Sequence, residues 1–210
     1  MDTYIWGGQP GGGQGPVQAQ GHDGLPGGAC FAQGTYILTR NGDVRIEDLR
    51  LGDMVATLTG SFAPIKWIGR RKIDFHSMSE PDASANRPVF ITKSSLADQI
   101  PHTDLILSRY HAVLCRGLGT ADSLVNGKDV YIMRDMDEVT YYHLELDTFE
   151  FIIANGLAAE SYRDVGNRTW FDNYAEWQRE SLKSKADAQP GNVDLRLRAA
   201  VVIDELRAKT

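Results

Sequence analysis

Cysteine is scarce in this 210-residue chain, which carries only Cys30 and Cys115. Two thiols cannot build a disulfide framework, and a single bridge between them is the most they allow. In a chain that opens without a signal peptide, free thiols are the default. CxxC, HxxxH and HxH spacings are missing, so no structural metal is expected. Long apolar runs are missing too: stretches such as 151–154 have the length of a strand, far from the ~18 residues of a membrane span. The first residues, MDTYIWGGQPGGG, lack the charged start and apolar core of a signal peptide. A basic excess is absent, with 22 Lys+Arg against 28 Asp+Glu and a net charge of −6. That balance argues against a phosphate-backbone binder. The Gly-rich stretch 7–15 has no Lys-Ser/Thr ending and no preceding strand, so it is not a phosphate loop. These absences predict a chain with no metal, cofactor, nucleic-acid or membrane partner, and they leave its localisation unspecified.

Glycine is abundant but unevenly placed. Of 21 glycines, 10 fall between Gly7 and Gly28. Residues 1–29, rich also in Pro and Gln, read as a flexible leader with too little apolar content to fold. From Cys30 the character changes. Short β-rich runs follow one another: 35–39, resuming at 44–46 after the hairpin signal Asn41-Gly42, then 54–58, 63–68, 89–92, 105–107, 112–115, 130–133, 139–146 and 149–154. Strands this short and closely spaced predict an all-β domain with many hairpins. Residues 76–86 read as an exposed loop, and 93–98 as a possible helical turn. Helices are expected at 173–188, with Asn173 as cap, and at 193–209, on either side of Pro190-Gly191. The domain reading is therefore a leader (1–29), a β domain (30–173) and a helical extension (174–210).

Three positions could carry chemistry. Cys30 stands where the flexible leader meets the first strand. A thiol there can attack the carbonyl of Ala29 through a five-membered ring and convert the Ala29–Cys30 peptide bond to a thioester. Amide resonance and a thiol pKa of ~8.5 both oppose that step, so it needs a proton-transfer group and donors that polarise the bond. Alternatively, Cys30 is a small buried hydrophobe that opens a strand. His111 follows Ser108 by three residues across a tight turn. The hydroxyl can bond backbone while the imidazole serves the scissile nitrogen; as the alternative, His111 is a satisfied turn or core residue. His143 shares one face of the 139–146 strand with Glu145, either toward solvent or beside the active cysteine.

Together these residues resemble the Hint (hedgehog/intein) family. Gly28-Ala29-Cys30-Phe31-Ala32-Gln33-Gly34-Thr35 looks like the opening of such a domain, and 44–55 (VRIEDLRLGDMV) like its "VEDLxxGDxV" continuation. Ser108-Arg109-Tyr110-His111 matches the Thr/Ser-x-x-His block, and 138–162 looks like the closing strands. With Trp67-Ile68-Gly69-Arg70-Arg71 and Gly166-Asn167-Arg168, the pattern is most similar to the bacterial subgroup. The resemblance implies a horseshoe-like all-β fold with pseudo-twofold halves that processes its own N-terminus. It implies Cys30 as nucleophile and Ser108 with His111 as the activating pair. His143 stands where splicing inteins often carry Asp. The closing Ala154-Asn155-Gly156-Leu157-Ala158-Ala159 runs into Glu160-Ser161 where inteins carry His-Asn. No Asn is available there to cyclise, so full splicing is not implied. Sterol transfer is not implied either, because 67–71 lacks the hedgehog Asp; relatives also often place His where Phe149 stands. The expected activity is N-to-S acyl shift at Ala29–Cys30 and release of the leader, with the leader as substrate and water or a small nucleophile as resolving partner. The competing expectation is an inactive Hint-fold module that serves in binding or structure.

Overall fold

A computed structural model describes residues 28–187. Most of the leader (1–27) and the helix expected at 193–209 lie outside the described residues. No described helix is long and apolar enough to cross a membrane.

Alternating burial along short segments gives fourteen strands in two sheets. The first sheet holds β1 (Phe31–Ala32), β6 (Trp67–Asp74), β7 (Val89–Ile91), β8 (Leu105–Leu107), β11 (Val130–Ile132) and β12 (Glu138–Glu145), in the order β11-β7-β8-β1-β12-β6. The second holds β2 (Tyr36–Thr39), β3 (Gly42–Arg45), β4 (Met54–Ala56), β5 (Phe62–Pro64), β9 (Ala112–Leu114), β10 (Leu118–Thr120), β13 (Phe151–Ala154) and β14 (Leu157–Glu160). Its order is β10-β9-β14-β13-β2-β4-β5, with β3 paired on β2. Every pairing is antiparallel, both in the tight β2–β3 and β13–β14 hairpins and between strands distant in sequence such as β1 and β12.

The structure adds strand β10, which the sequence reading lacks, and departs from that reading in four further places. Residues 76–86 are not a loop: they form a 3-10 turn (Phe75–Ser77) and helix α1 (Glu80–Asn86), which has Pro81 in its first turn and Glu80 and Asp82 facing the positive helix end. Residues 93–98 do not form a helical turn. Ser94 and Gln99 have φ of 57° and 58°, which breaks helical continuity, and Asp104 takes the Lys93 amide. The run 63–68 is two strands, because the Ile65 and Lys66 amides bond to Asp53 and Glu145 on different partners. Asn173 precedes helix α2 (Tyr174–Asp187), but its side chain accepts from the Arg70 amide at 2.9 Å and donates to the Ile68 carbonyl at 2.8 Å. Asp172 accepts from the Lys72 amide. These two side chains satisfy the outer edge of β6, the free end of its sheet.

Two buried clusters lie on opposite sides of β1. Phe31 belongs to the larger, aliphatic one with Ile37, Leu107 and Leu144, whereas Cys30 and Ala32 belong to a smaller aromatic one with Trp67, Tyr141, Tyr162 and Phe171. The second cluster needs a flat spot on β6. A Cβ at Gly69 would come within 2.6 Å of both Phe171 Cδ1 and Trp67 Cη2. Gly69→Ala is therefore expected to destabilise the fold by about 1–3 kcal/mol through overpacking. Urea unfolding checks this, and a change under ~0.5 kcal/mol counts against it.

Candidate active site

β1 brings the candidate residues together. Phe31 pairs with Leu107 on one side and Tyr142 on the other. Stepping back one residue in each antiparallel register sets Cys30 between Ser108 and His143. The Ser108 pairing is closed by hydrogen bonds: the Cys30 amide donates to Ser108 Oγ at 2.7 Å, and the Ser108 amide donates to the Cys30 carbonyl at 3.0 Å. The amide that donates to Ser108 is the nitrogen of the Ala29–Cys30 bond. The turn 108–111 is closed by the His111 amide on the Ser108 carbonyl at 3.2 Å, which swings the His111 ring under Phe31, with ring centroids 4.2 Å apart. His143 joins from β12, 5.3 Å from the His111 ring and 6.0 Å from Phe31. Its solvent-facing alternative is ruled out, since it is 4% exposed.

Burial sets the protonation states. Cys30 is buried, and desolvation pushes its thiol up to about 12, against a smaller opposing pull from Arg71. Arg71 reaches this neighbourhood because it pairs with Tyr141 on β12 and alternates along β6 with Trp67, Gly69 and Ile73. His111 is wholly buried, and desolvation lowers its pKa although Glu160 and the Cys30 backbone oppose the shift. His143 is lowered well below the ordinary value by desolvation and by its neighbour His111. The resting site is a neutral thiol with two neutral imidazoles.

The tautomer of His111 follows from its contacts. Its Nε2 lies 3.2 Å from the Glu160 carbonyl, which can only accept, so Nε2 carries the proton. Nδ1 is then a bare lone pair, buried and without a hydrogen-bond partner among the described residues. An unpaired buried acceptor costs stability. His143 Nδ1 accepts from the Leu144 amide at 3.2 Å, which leaves the proton on Nε2.

Glu160 is a site residue that the sequence reading missed. In the sequence it marks only the departure from a splicing terminus. In the fold its carbonyl fixes the His111 ring and its carboxylate accepts from the Ala112 amide at 2.8 Å. The next residue, Ser161, is buried and takes the Glu150 amide. Asn155 of the Ala-Asn-Gly stretch is also a fastener: it turns the β13–β14 hairpin at φ 48°, accepts from the Tyr36 amide and donates to Thr103 and the Asp104 carbonyl. Phe149 stacks under Arg163. Cys30 and Cys115 are free thiols, and no three His, Cys, Asp or Glu side chains gather into a metal site among the described residues.

A family model described as a Hint domain matches residues 29–166. Among solved structures, the gp41-1 intein is 15% identical, with 63% of this chain and 98% of that one covered at a TM-score of 0.43. A DnaB intein from Synechocystis sp. PCC 6803 is 12% identical over 65% of this chain and 100% of that one, at 0.44. A bacterial intein-like domain from Clostridium thermocellum is 17% identical over 63% and 98%, at 0.43. No curated protein matches the chain.

Two expected outcomes follow from these protonation states. At pH 7.5 a thiol with a pKa of about 12 is thiolate only to the order of 10⁻⁴–10⁻⁵. Iodoacetamide should therefore label partly exposed Cys115 at least ~100-fold faster than Cys30, as read by peptide mass spectrometry; equal labelling would contradict the assignment. The second concerns stability. In the unfolded chain both histidines titrate near 6.5, whereas in the fold they resist protonation to lower pH. Below pH ~6.5 the unfolded state thus binds protons that the fold does not, and stability falls with falling pH by up to about 1.4 kcal/mol per pH unit for each histidine. Denaturant titrations of the Cys30→Ala chain at pH 7.5 and 5.5 test this, and a flat profile would refute it.

Proposed function

The chain belongs to the Hint domain family, and on that premise we propose that it processes itself at the Ala29–Cys30 bond. The observation that carries the proposal is the clamp on that bond. Its nitrogen donates to Ser108 Oγ, and the turn from Ser108 carries His111, with its unpartnered ring Nδ1, under the neighbouring residue Phe31. Cys30 Sγ attacks the Ala29 carbonyl carbon as its proton passes to His111 Nδ1. The S–C bond forms, the C–N bond breaks, and the nitrogen leaves as the α-amine of Cys30 after taking that proton from His111. The product is a thioester between Ala29 and Cys30. Water or a small nucleophile then adds to the thioester carbonyl, the C–S bond breaks, and the leader departs with the Cys30 thiol restored.

Each group has a defined part. Ser108 orients the scissile amide, His111 moves the proton, and Glu160 holds His111 in the tautomer that leaves Nδ1 open. His143, already proton-bearing at Nε2 and flanking Cys30, keeps a second positive charge from forming beside His111 and lends a donor at the junction. No Asn stands at Glu160-Ser161 to release a C-terminal segment, so the reaction stops at cleavage of the leader.

The desolvated thiol favours a second reading, a Hint-fold module that binds or scaffolds without cleaving. A fusion experiment separates the two. With a reporter ahead of Met1, the wild-type chain should lose its leader in dithiothreitol, and Cys30→Ala should not. His111→Ala should slow cleavage ~10²–10⁴-fold, the usual worth of acid–base help. A wild-type fusion that stays intact for days with thiol present decides for the binding module.

A further inference from the structure

A chain with a net charge of −6 gathers three arginines at one small cleft. The cleft has a volume of about 250 Å³ and is lined by Arg87, Arg109 and Arg134, with Glu80, Ser84 and Ile132. Three separate parts of the chain build it. They are helix α1 with the residue that caps it, the turn that carries Ser108 and His111, and the end of β11 with the residues that follow. None of the lining residues belongs to the site around Cys30.

Two of the three guanidinium groups are held in place by bonds that leave N–H donors unused. Arg87 is half-buried, gives Nη1 to the Met136 carbonyl at 2.7 Å and lies 4.6 Å from the Phe75 ring centroid. Its partners are a carbonyl and a ring, and no carboxylate pairs with it among the described residues. Arg109 gives Nε to Asp122 Oδ1 at 2.7 Å and Nη1 to the Ser84 carbonyl at 3.2 Å, which ties it to α1. A guanidinium carries five N–H donors, and Nη2 of both arginines has no partner among the described residues. Arg134 is exposed, and its guanidinium has no ion pair or hydrogen bond among the described residues. Against these three positive charges stand Asp122, taken up by Arg109, and Glu80, the acid that lines the cleft. One positive charge is left in excess.

We propose that this cleft binds a phosphate group, as inorganic phosphate or as the end of a small phosphomonoester. A half-buried guanidinium without a counter-charge is costly, and an anion seated beside it offsets that cost. A carboxylate offers two coplanar oxygens, the match for a single arginine fork. A phosphate group offers at least three, arranged tetrahedrally, and can take donors from arginines that approach from separate segments. The volume falls below the ~300–1,000 Å³ of sites for drug-sized ligands, so it suits one such group on a short stem. The acidic balance of the chain argues against a nucleic-acid backbone as the source. The proposal stands apart from the self-processing reading and does not depend on it.

The test titrates inorganic phosphate into the full chain carrying Cys30→Ala, at pH 7 and constant ionic strength so that charge screening does not imitate binding. The backbone amide resonances of Ser84, Arg87, Arg109 and Arg134 should move and saturate together. Arg134→Gln should weaken the affinity about tenfold and leave the unfolding midpoint unchanged, because that side chain holds nothing in the fold. Glu80→Gln should tighten binding about two- to fivefold by removing the carboxylate that lines the cleft. Opposite signs for two exposed substitutions separate a bound anion from a general change in structure. Phenyl phosphate distinguishes the sources: binding at least as tight as that of phosphate assigns an ester, and weaker binding assigns the free ion. Amides that stay in place, or shifts that grow without saturating, overturn the proposal. So do acetate binding as tightly as phosphate and an affinity that Arg134→Gln leaves unchanged.

Discussion

The two-residue strand β1 is the constraint on which the site depends. It is paired on both sides, with β8 and with β12, and those registers alone fix which residues flank Cys30. Strand periodicity makes the arrangement unforgiving, because a slip of one residue would exchange the faces of Cys30 and Phe31. Phe31 prevents the slip. Its ring is fully buried among aliphatic side chains and lies against His111, a place that cysteine is too small to fill. The residue after Cys30 is thus the one that sets its orientation.

Desolvation then explains why the thiol and the two imidazoles are all neutral. Ionising Cys30 and His111 as a pair would put two charges in a buried site, and their attraction repays that cost only with excellent geometry and further hydrogen bonds. Arg71 favours the thiolate and Glu160 opposes it, and both effects are smaller than that of burial. Such a centre is quiet at rest. A cysteine that remains a thiol is protected from oxidation and stray alkylation.

Much of this was legible in the sequence, for identifiable reasons. Alternating residue character and turn residues mark most of the strands, and β12 reads clearly because Tyr142, Leu144 and Leu146 alternate with His143, Glu145 and Asp147. Cys30 stood out because composition changes abruptly at that point. Local patterns did not reveal contacts between distant residues. Glu160 reaches His111 across 49 positions, and Asn173 reaches β6 across more than a hundred, in both cases through bonds to backbone that carry no periodic signal. The same holds for the break between β5 and β6, which exists because neighbouring amides are claimed by different strands. Helix α1 was missed for a different reason: seven residues rich in Ser, Asp and Asn read as a loop, and only the Pro and acidic groups of its first turn favour a helix.

The end of the folded unit is set by satisfaction of polar groups. Strand β6 closes its sheet, and without Asp172 and Asn173 its outer amides and carbonyl would be open to pairing with another chain. Glu145 and Asp164 alone do not enclose the Arg168 charge. Trp67 and Tyr162 line it from the β domain and Trp177 covers it from α2. A chain cut at residue 166 would lose the Phe171 ring that Gly69 accommodates, the edge cover of β6 and the aromatic lid of the arginine site. The segment 167–177 is thus part of the same structure as the nucleophile, and the first turn of α2 belongs to the domain as much as the strands do.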